Sequence, residues 1–329
     1  MLASRGGMLR ILVSLVFVSS LAAAEPAPVI GGSRVPSGAW SDVVAVIAPD
    51  GTCTGVLVAP DVVLTAGHCI ELRPTHVITN TVDHAAGGDR IAVKWARAYP
   101  TWWERYDAGV LVLEHVARGR ARPIASACLA NDRLRAGAPL RVVGFGATTP
   151  AGTDDNTQLY EATIAVLDPF CETDPACGDA ARPKGELTAG GRGTDACFGD
   201  SGGPAYLDTP AGPTLLGIVS RGLEVLGLPC GNGGVYVRAD KLVAWIEAVT
   251  DRDLERAPCD APADTIEAAE EGGCTTGGGA GLGIALVFGV RRRRRSRQLP
   301  ARDRANAPPP PSIRDAAARA PRSPDARVR

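Results

Sequence analysis

Two short segments carry residue types that could do nucleophilic chemistry together. Leu64-Thr65-Ala66-Gly67-His68-Cys69 sets an imidazole beside a cysteine. A general base must be near neutral at working pH, and an unperturbed imidazole titrates at about 6.5. A neighbouring half-cystine would pin the backbone next to it. Gly199-Asp200-Ser201-Gly202-Gly203-Pro204 supplies a serine between glycines. Serine needs a base and an oxyanion hole to attack a carbonyl. The glycines let the chain turn so that two N–H groups can aim at one point. Alone, His68 would read as a buried polar residue and Ser201 as part of a Gly-rich turn. Together they specify acyl transfer. His76, His84 and His115 have no such neighbours and read as surface or turn residues. No His/Cys/Asp group has the spacing of a metal site, and no cofactor is expected.

The elements that must position these residues are short. β-branched runs recur between Gly, Pro and Asp: Val43–Ile47, Gly55–Val58, Val62–Thr65, His76–Thr79, Ile91–Trp95, Val110–Leu113, Leu140–Gly144, Leu159–Val166, Thr214–Val219 and Gly234–Val237. This pattern predicts an all-β sandwich or barrel over residues 29–250. Only Lys241–Thr250 has helical spacing, with Leu242, Trp245, Ile246 and Val249 on one face.

Composition narrows the class further. The chain has 329 residues, 45% apolar and 22% charged, which excludes a disordered, collagenous or many-pass membrane protein. Its net charge of −1 conceals a basic end, because residues 291–329 hold thirteen Arg against three Asp. The rest is mildly acidic, so no nucleic-acid-binding face is expected. Nine cysteines fit an oxidising compartment. Arg5 and Arg10, the apolar run Ile11–Val18 and Ala22-Ala23-Ala24 read as a secretory signal peptide over 1–24, with an uncleaved anchor as the alternative. Residues 251–274 read as an acidic linker. Residues 275–297 read as an apolar run with an Arg block, and 298–329 as a disordered tail.

Taken in order, the motifs resemble those of the trypsin-like (chymotrypsin-type) serine endopeptidases. The matching segments are Val29-Ile30-Gly31-Gly32, Cys53-Thr54-Gly55, Leu64–Cys69, Asp107–Leu113, Asp195–Pro204, Gly217–Ser220 and Gly234–Val237. The resemblance covers residues 29–250. It implies two six-stranded antiparallel β-barrels with the active site between them and a short C-terminal helix. It also implies a triad of Ser201 as nucleophile, His68 as base and Asp107 as the orienting carboxylate. Asp42, Asp83 and Asp89 compete for the last role but lack the apolar run that follows Asp107. The N–H groups of Gly199 and Ser201 would form the oxyanion hole. Asp195 would bind an Arg or Lys side chain of a protein or peptide substrate, in a pocket with Ser220, Gly222 and Gly234 on its walls. Arg221 stands where an aromatic residue is usual, which suggests a preference for acidic or small residues at neighbouring subsites.

The same resemblance implies disulfides Cys53–Cys69 and Cys197–Cys230. Cys171 matches a family half-cystine, but Thr188 replaces the usual partner, so Cys177 is expected instead. A Cys128–Cys259 pairing, which the motifs leave open, would fasten the linker to the back of the domain and leave Cys274 odd. In this family a freed N-terminus, here Val29, pairs with the Asp before the nucleophile, here Asp200. Residues 25–28, Glu25-Pro26-Ala27-Pro28, form two X-Pro dipeptides, which points to an activating aminopeptidase, with a Pro-rich spacer removed in one cut by another endopeptidase as the alternative. Gly272-Gly273-Cys274 with the apolar run and the Arg block resembles the MYXO-CTERM type of surface-sorting tag. That implies a sorting enzyme, membrane contact through this segment, and a chain secreted or attached to the envelope of a Gram-negative bacterium. A permanent inner-membrane anchor is the alternative.

Overall fold

The computed structural model describes residues 29–172, 174–223 and 227–259. The expected leader and pro-segment, Cys274, the apolar run with its Arg block and the tail lie outside these residues. Among the described residues no helix is long and apolar enough to cross a membrane.

After a short strand β1 (Ser33–Arg34), six strands form the first barrel: β2 (Val43–Ala48), β3 (Gly51–Ala59), β4 (Val62–Thr65), β5 (His76–Thr79), β6 (Asp89–Ala98) and β7 (Gly109–Leu113). They close in the order β2-β3-β4-β7-β6-β5, every pair antiparallel. The continuous apolar runs follow from burial on both faces. Val44, Val46, Leu57, Val63 and Leu111 point into the barrel. Their neighbours Val43, Ala45, Val56, Val58, Val62, Leu64, Val110 and Val112 face outward into a core shared with the second half. The period-2 alternation therefore sorts one apolar residue from the next, instead of apolar from polar. Burying one such side chain is worth about 1.5–3 kcal/mol.

The second half begins with β8 (Ile124–Ala125). Its barrel is built from β9 (Pro139–Gly144), β10 (Tyr160–Asp168), β11 (Glu186–Ala189), β12 (Pro204–Thr209), β13 (Gly212–Gly222) and β14 (Gly234–Arg238). The order β12-β9-β10-β11-β14-β13 closes through the β12–β13 pairing. Leu140, Val142, Ile164, Leu187, Leu207, Leu216 and Tyr236 fill it. Phe145, Leu159, Tyr206, Ile218 and Val237 meet the first barrel in the shared core. The architecture is thus two six-stranded antiparallel barrels packed together.

The helices are α1 (Gly67–Glu71), α2 (Ala127–Arg133) and α3 (Val243–Thr250). The last falls within the expected Lys241–Thr250, entered by a 3-10 turn over Ala239–Lys241. The two shorter helices were not expected. Each spans one or two turns, too few for a periodic pattern to register.

The linker expected over 251–274 needs correcting at its start. Strand β15 (Arg256–Ala257) pairs in parallel with β8, Leu254 is buried in the shared core, and Cys259 is bonded to Cys128. Residues 251–259 are therefore part of the folded unit. Two residues of pairing are too short to leave a strand pattern, and the acidic composition hid the single buried Leu.

Candidate active site

His68 sits on α1, directly after β4, and Asp107 just precedes β7, the strand that pairs with β4. That pairing brings the two side chains together across 39 residues of sequence. His68 Nδ1 lies 2.8 Å from Asp107 Oδ2, and the His68 backbone N–H donates to Asp107 Oδ1 at 2.9 Å. The Ser220 hydroxyl, from β13 of the other barrel, donates to Asp107 Oδ2 at 2.8 Å. Burial alone would push the Asp107 carboxyl up. The donors from His68 and Ser220 overcome it and hold the group below the usual carboxylate range. Asp42, one of the three rivals on sequence grounds, is committed elsewhere: it takes two bonds from Arg122 and one from Tyr206.

Ser201 lines the same cleft as His68 and Asp107, an opening of about 510 Å³ at the junction of the barrels. No hydrogen bond joins its hydroxyl to His68 among the described residues. Such bonds often tighten only with substrate in place. The loop that presents Ser201 is held from the first barrel. Thr54 of β3 donates its hydroxyl to the Gly199 carbonyl at 2.7 Å, its own N–H donates to the Ser201 carbonyl at 3.0 Å, and its Oγ1 accepts from the Phe145 N–H at 3.1 Å. Glycine is required at two points of this loop. Gly199 has φ +94°, and a Cβ there would lie 2.9 Å from Gly146 Cα. Gly202 has φ +79°, and its Cβ would lie 2.1 Å from Thr65 Oγ1. Among the described residues, neither the Gly199 nor the Ser201 N–H is spent on a bond within the protein. Both remain available to an oxyanion.

Asp195 does not itself line the cleft; its neighbour Ala196 does, together with Ser220, Gly222 and Gly234. Its carboxylate is fully buried behind that wall. It accepts from the N–H groups of Ala196 (2.8 Å), Gly233 (2.9 Å) and Gly231 (3.1 Å). Burial pushes it up to about 6, with the backbone donors opposing. Gly222 and Gly234 face each other across the β13–β14 pair and leave the entrance free of side chains.

Asp200 is also fully buried, accepting from the Gly146 N–H at 2.8 Å and the Cys197 N–H at 2.9 Å. Burial pushes it up to about 7. Among the described residues no cation pairs with it. Val29 is fully buried in the second barrel, and the Ile30 carbonyl accepts from the Asp195 N–H at 2.9 Å.

Four disulfides join Cys53–Cys69, Cys128–Cys259, Cys171–Cys177 and Cys197–Cys230. The first tethers α1 to β3, and the last ties the nucleophile segment to the opposite wall of the cleft. Among the described residues, two groupings bring potential metal-binding atoms together, Cys53–His68–Cys69 and Cys171–Cys177–Glu186. In both, the cysteines are bonded to each other and offer no thiolate.

Arg221 lines the cleft, yet its donors are turned inward. NH1 donates to Glu186 and Ser220, NH2 to Glu186 and the Ala176 carbonyl, and Nε to the same carbonyl. All five N–H groups are consumed inside the protein. Residues with no sequence signal also shape the site. Trp102 packs near the His68 ring at a centroid distance of 6.4 Å, and Phe198 stands 59% exposed on the cleft wall. Their roles depend on distant partners, so nothing local marks them.

Comparison with known proteins adds to this geometry. The family model described as Trypsin matches residues 29–246. Serine protease 56 of Homo sapiens is 32% identical over 251 residues, covering 70% of this chain and 40% of that protein. Coagulation factor XII of Bos taurus is 32% identical over 250 residues, covering 68% of this chain and 40% of its own length. Glucanase inhibitor protein 3 of Phytophthora infestans is 29% identical over 243 residues, with 68% and 88% covered. The chain thus spans about two fifths of the first two relatives.

Proposed function

The chain belongs to the trypsin family of serine proteases, and from that premise we propose that it is an exported endopeptidase cleaving after Arg or Lys. The observation that carries this reading is the His68 Nδ1–Asp107 Oδ2 contact of 2.8 Å in one cleft with Ser201. Asp107 holds the ring so that Nδ1 carries a proton and Nε2 is left as the base. His68 takes the Ser201 proton as Oγ attacks the scissile carbonyl, and returns it to the leaving amine. The oxyanion sits against the Gly199 and Ser201 N–H groups. Water then repeats the sequence on the acyl-enzyme. A substrate guanidinium or ammonium entering between Gly222 and Gly234 would meet the buried Asp195 carboxylate, a charge-assisted contact.

Activation rests on Asp200. A carboxyl fully buried with only two backbone donors is poorly stabilised when ionised. A free ammonium at Val29 would supply the missing cation. Signal peptidase would release Glu25, and an aminopeptidase specific for X-Pro would then remove Glu25-Pro26 and Ala27-Pro28. N-terminal sequencing of the active form should read Val29; an active form starting at Glu25 would exclude removal of the pro-segment by any enzyme, and release of an intact Glu25–Pro28 peptide would exclude the stepwise route. The sorting tag around Cys274 is tested by mass spectrometry of the mature C-terminus. An intact end at Arg329 would dismiss it.

The second reading is a binding module without catalysis, prompted by the relative that is named an inhibitor. A fluorophosphonate probe separates the two. Covalent labelling of the mature protein that is lost in Ser201→Ala, together with cleavage of a peptide library after Arg or Lys, is the expected result. A protein that ignores the probe would be the binding module.

A further inference from the structure

Arg221 and Glu186 form a charge pair separated from the Asp107 carboxylate by one hydroxyl, that of Ser220. Glu186, on β11, is buried, and its two oxygens receive NH1 of Arg221 at 2.9 Å and NH2 at 3.0 Å. The Gly178 N–H adds a third donor to Glu186 at 2.8 Å. The Ala176 carbonyl takes Nε and NH2 and closes the clamp, on a loop stapled by Cys171–Cys177. The last N–H of the guanidinium, on NH1, reaches the Ser220 hydroxyl at 3.1 Å.

A hydroxyl has one proton. With its lone pair facing the Arg221 N–H, Ser220 must aim that proton at Asp107 Oδ2, where it is found at 2.8 Å. The same oxygen faces His68 Nδ1. A continuous chain therefore runs Glu186–Arg221–Ser220–Asp107–His68.

We infer that Arg221, backed by Glu186, is a positioning residue for the His68–Asp107 pair: it fixes the Ser220 hydroxyl as a donor and balances the charge beside the imidazole. This rests on the endopeptidase reading above. The other charged groups facing the pair can be named. Glu104 and Arg105 come from the segment before β7 and line a second opening with Asp107, Glu186 and Arg221. Arg105 stacks on the Tyr106 ring, whose phenol burial pushes up and keeps neutral. Asp195 and Asp200 lie buried on the nucleophile side. None of these forms a hydrogen bond to Ser220, so the hydroxyl is oriented between Arg221, which donates to it, and Asp107, which accepts from it.

The sign of the effect follows. A guanidinium near the imidazole opposes its protonation, and a carboxylate favours it. The test measures kcat and KM between pH 5 and 9 on the mature full chain, with an Arg-containing peptide amide. Arg221→Met leaves Glu186 uncompensated and should move the acid limb of kcat up by about half a pH unit. Glu186→Gln should move it down by a similar amount. The double variant should return the limb to its original place while kcat stays roughly 3–10-fold low with KM little changed, because the hydroxyl is no longer steered. Arg221→Lys keeps the charge and should hold the limb where it was.

A limb that stays put in both single variants, or moves the same way in both, would overturn the inference, as would a loss confined to KM. If Arg221→Met fails to fold by circular dichroism, Glu186→Gln and Arg221→Lys decide, and an unmoved limb in the former overturns it. A wild-type chain that neither cleaves nor reacts with the probe is a different outcome and sinks the endopeptidase reading itself.

Discussion

Thr54 and Gly199, 145 residues apart in sequence, are joined by a hydrogen bond of 2.7 Å that crosses from the first barrel to the nucleophile loop. Because Thr54 Oγ1 also accepts from Phe145, one side chain sets the distance between the two halves of the site. His68 belongs to one barrel and Ser201 to the other, so the site exists only while that distance is kept.

Thr54→Val is therefore expected to uncouple the halves. Valine keeps the shape but leaves the buried Phe145 N–H unpaired, at a cost of about 1–3 kcal/mol, and the part-buried Gly199 carbonyl without its donor, at a smaller cost. Urea unfolding in a Ser201→Ala background measures the stability loss. The active variant should lose kcat more than KM. Unchanged stability would show that the loop is held by its other bonds alone.

Asp195 should impose a pH dependence on selectivity. Its carboxyl is raised to about 6 by burial, so it loses its charge as pH falls through that value. The ratio of kcat/KM for an Arg substrate to that for a matched neutral substrate should fall below about pH 6 and plateau above about pH 7. Taking a ratio cancels the protonation of His68. Asp195→Ser should flatten the ratio and lower it at every pH, and a ratio independent of pH in the unaltered protein would contradict the role.

Asp200 makes the precursor and the mature form differ in stability. In the precursor its folded value, about 7, lies above the 3.8 of an ordinary Asp. The folded state then binds the extra proton. That contribution is fully present below about pH 4 and is lost as pH rises through 7, at most about 4 kcal/mol. A Val29 ammonium would pair with the carboxylate and remove the loss. Ser201→Ala chains with and without residues 25–28 should converge in stability near pH 4.5, and the form beginning at Val29 should be more stable at pH 8. Parallel curves would argue against the pairing.

The 251–259 segment should be required for stability. Ending the chain after Thr250 removes the β15–β8 pairing, the buried Leu254 and the Cys128–Cys259 bond. Loss of a native disulfide alone typically costs about 2–5 kcal/mol. A chain ended after Asp260 should melt like the longer protein and one ended after Thr250 well below it. Equal melting temperatures would return the segment to the status of a linker.

The sequence by itself determined what depends on short range. His68 and Ser201 announce themselves because the chemistry needs glycines, a cysteine and an apolar strand within a few positions of each. Ten of the strands were legible from β-branched runs bounded by turn residues. The runs of β11 and β12 were not, because Glu186-Leu187-Thr188-Ala189 carries a buried acid and Pro204 opens the other. The two-residue strands β1, β8 and β15 are too short to have a period.

The tertiary structure alone decided everything that couples distant positions. It showed which oxygens of Asp107 meet His68 and Ser220, and that Asp195 and Asp200 are buried without a cation among the described residues. It also showed that Arg221, on the cleft wall, is tied to Glu186, 35 residues before it. The reason is physical. A side chain's type is local, but the partners that spend its hydrogen bonds arrive from other strands, and only barrel closure brings them within 3 Å.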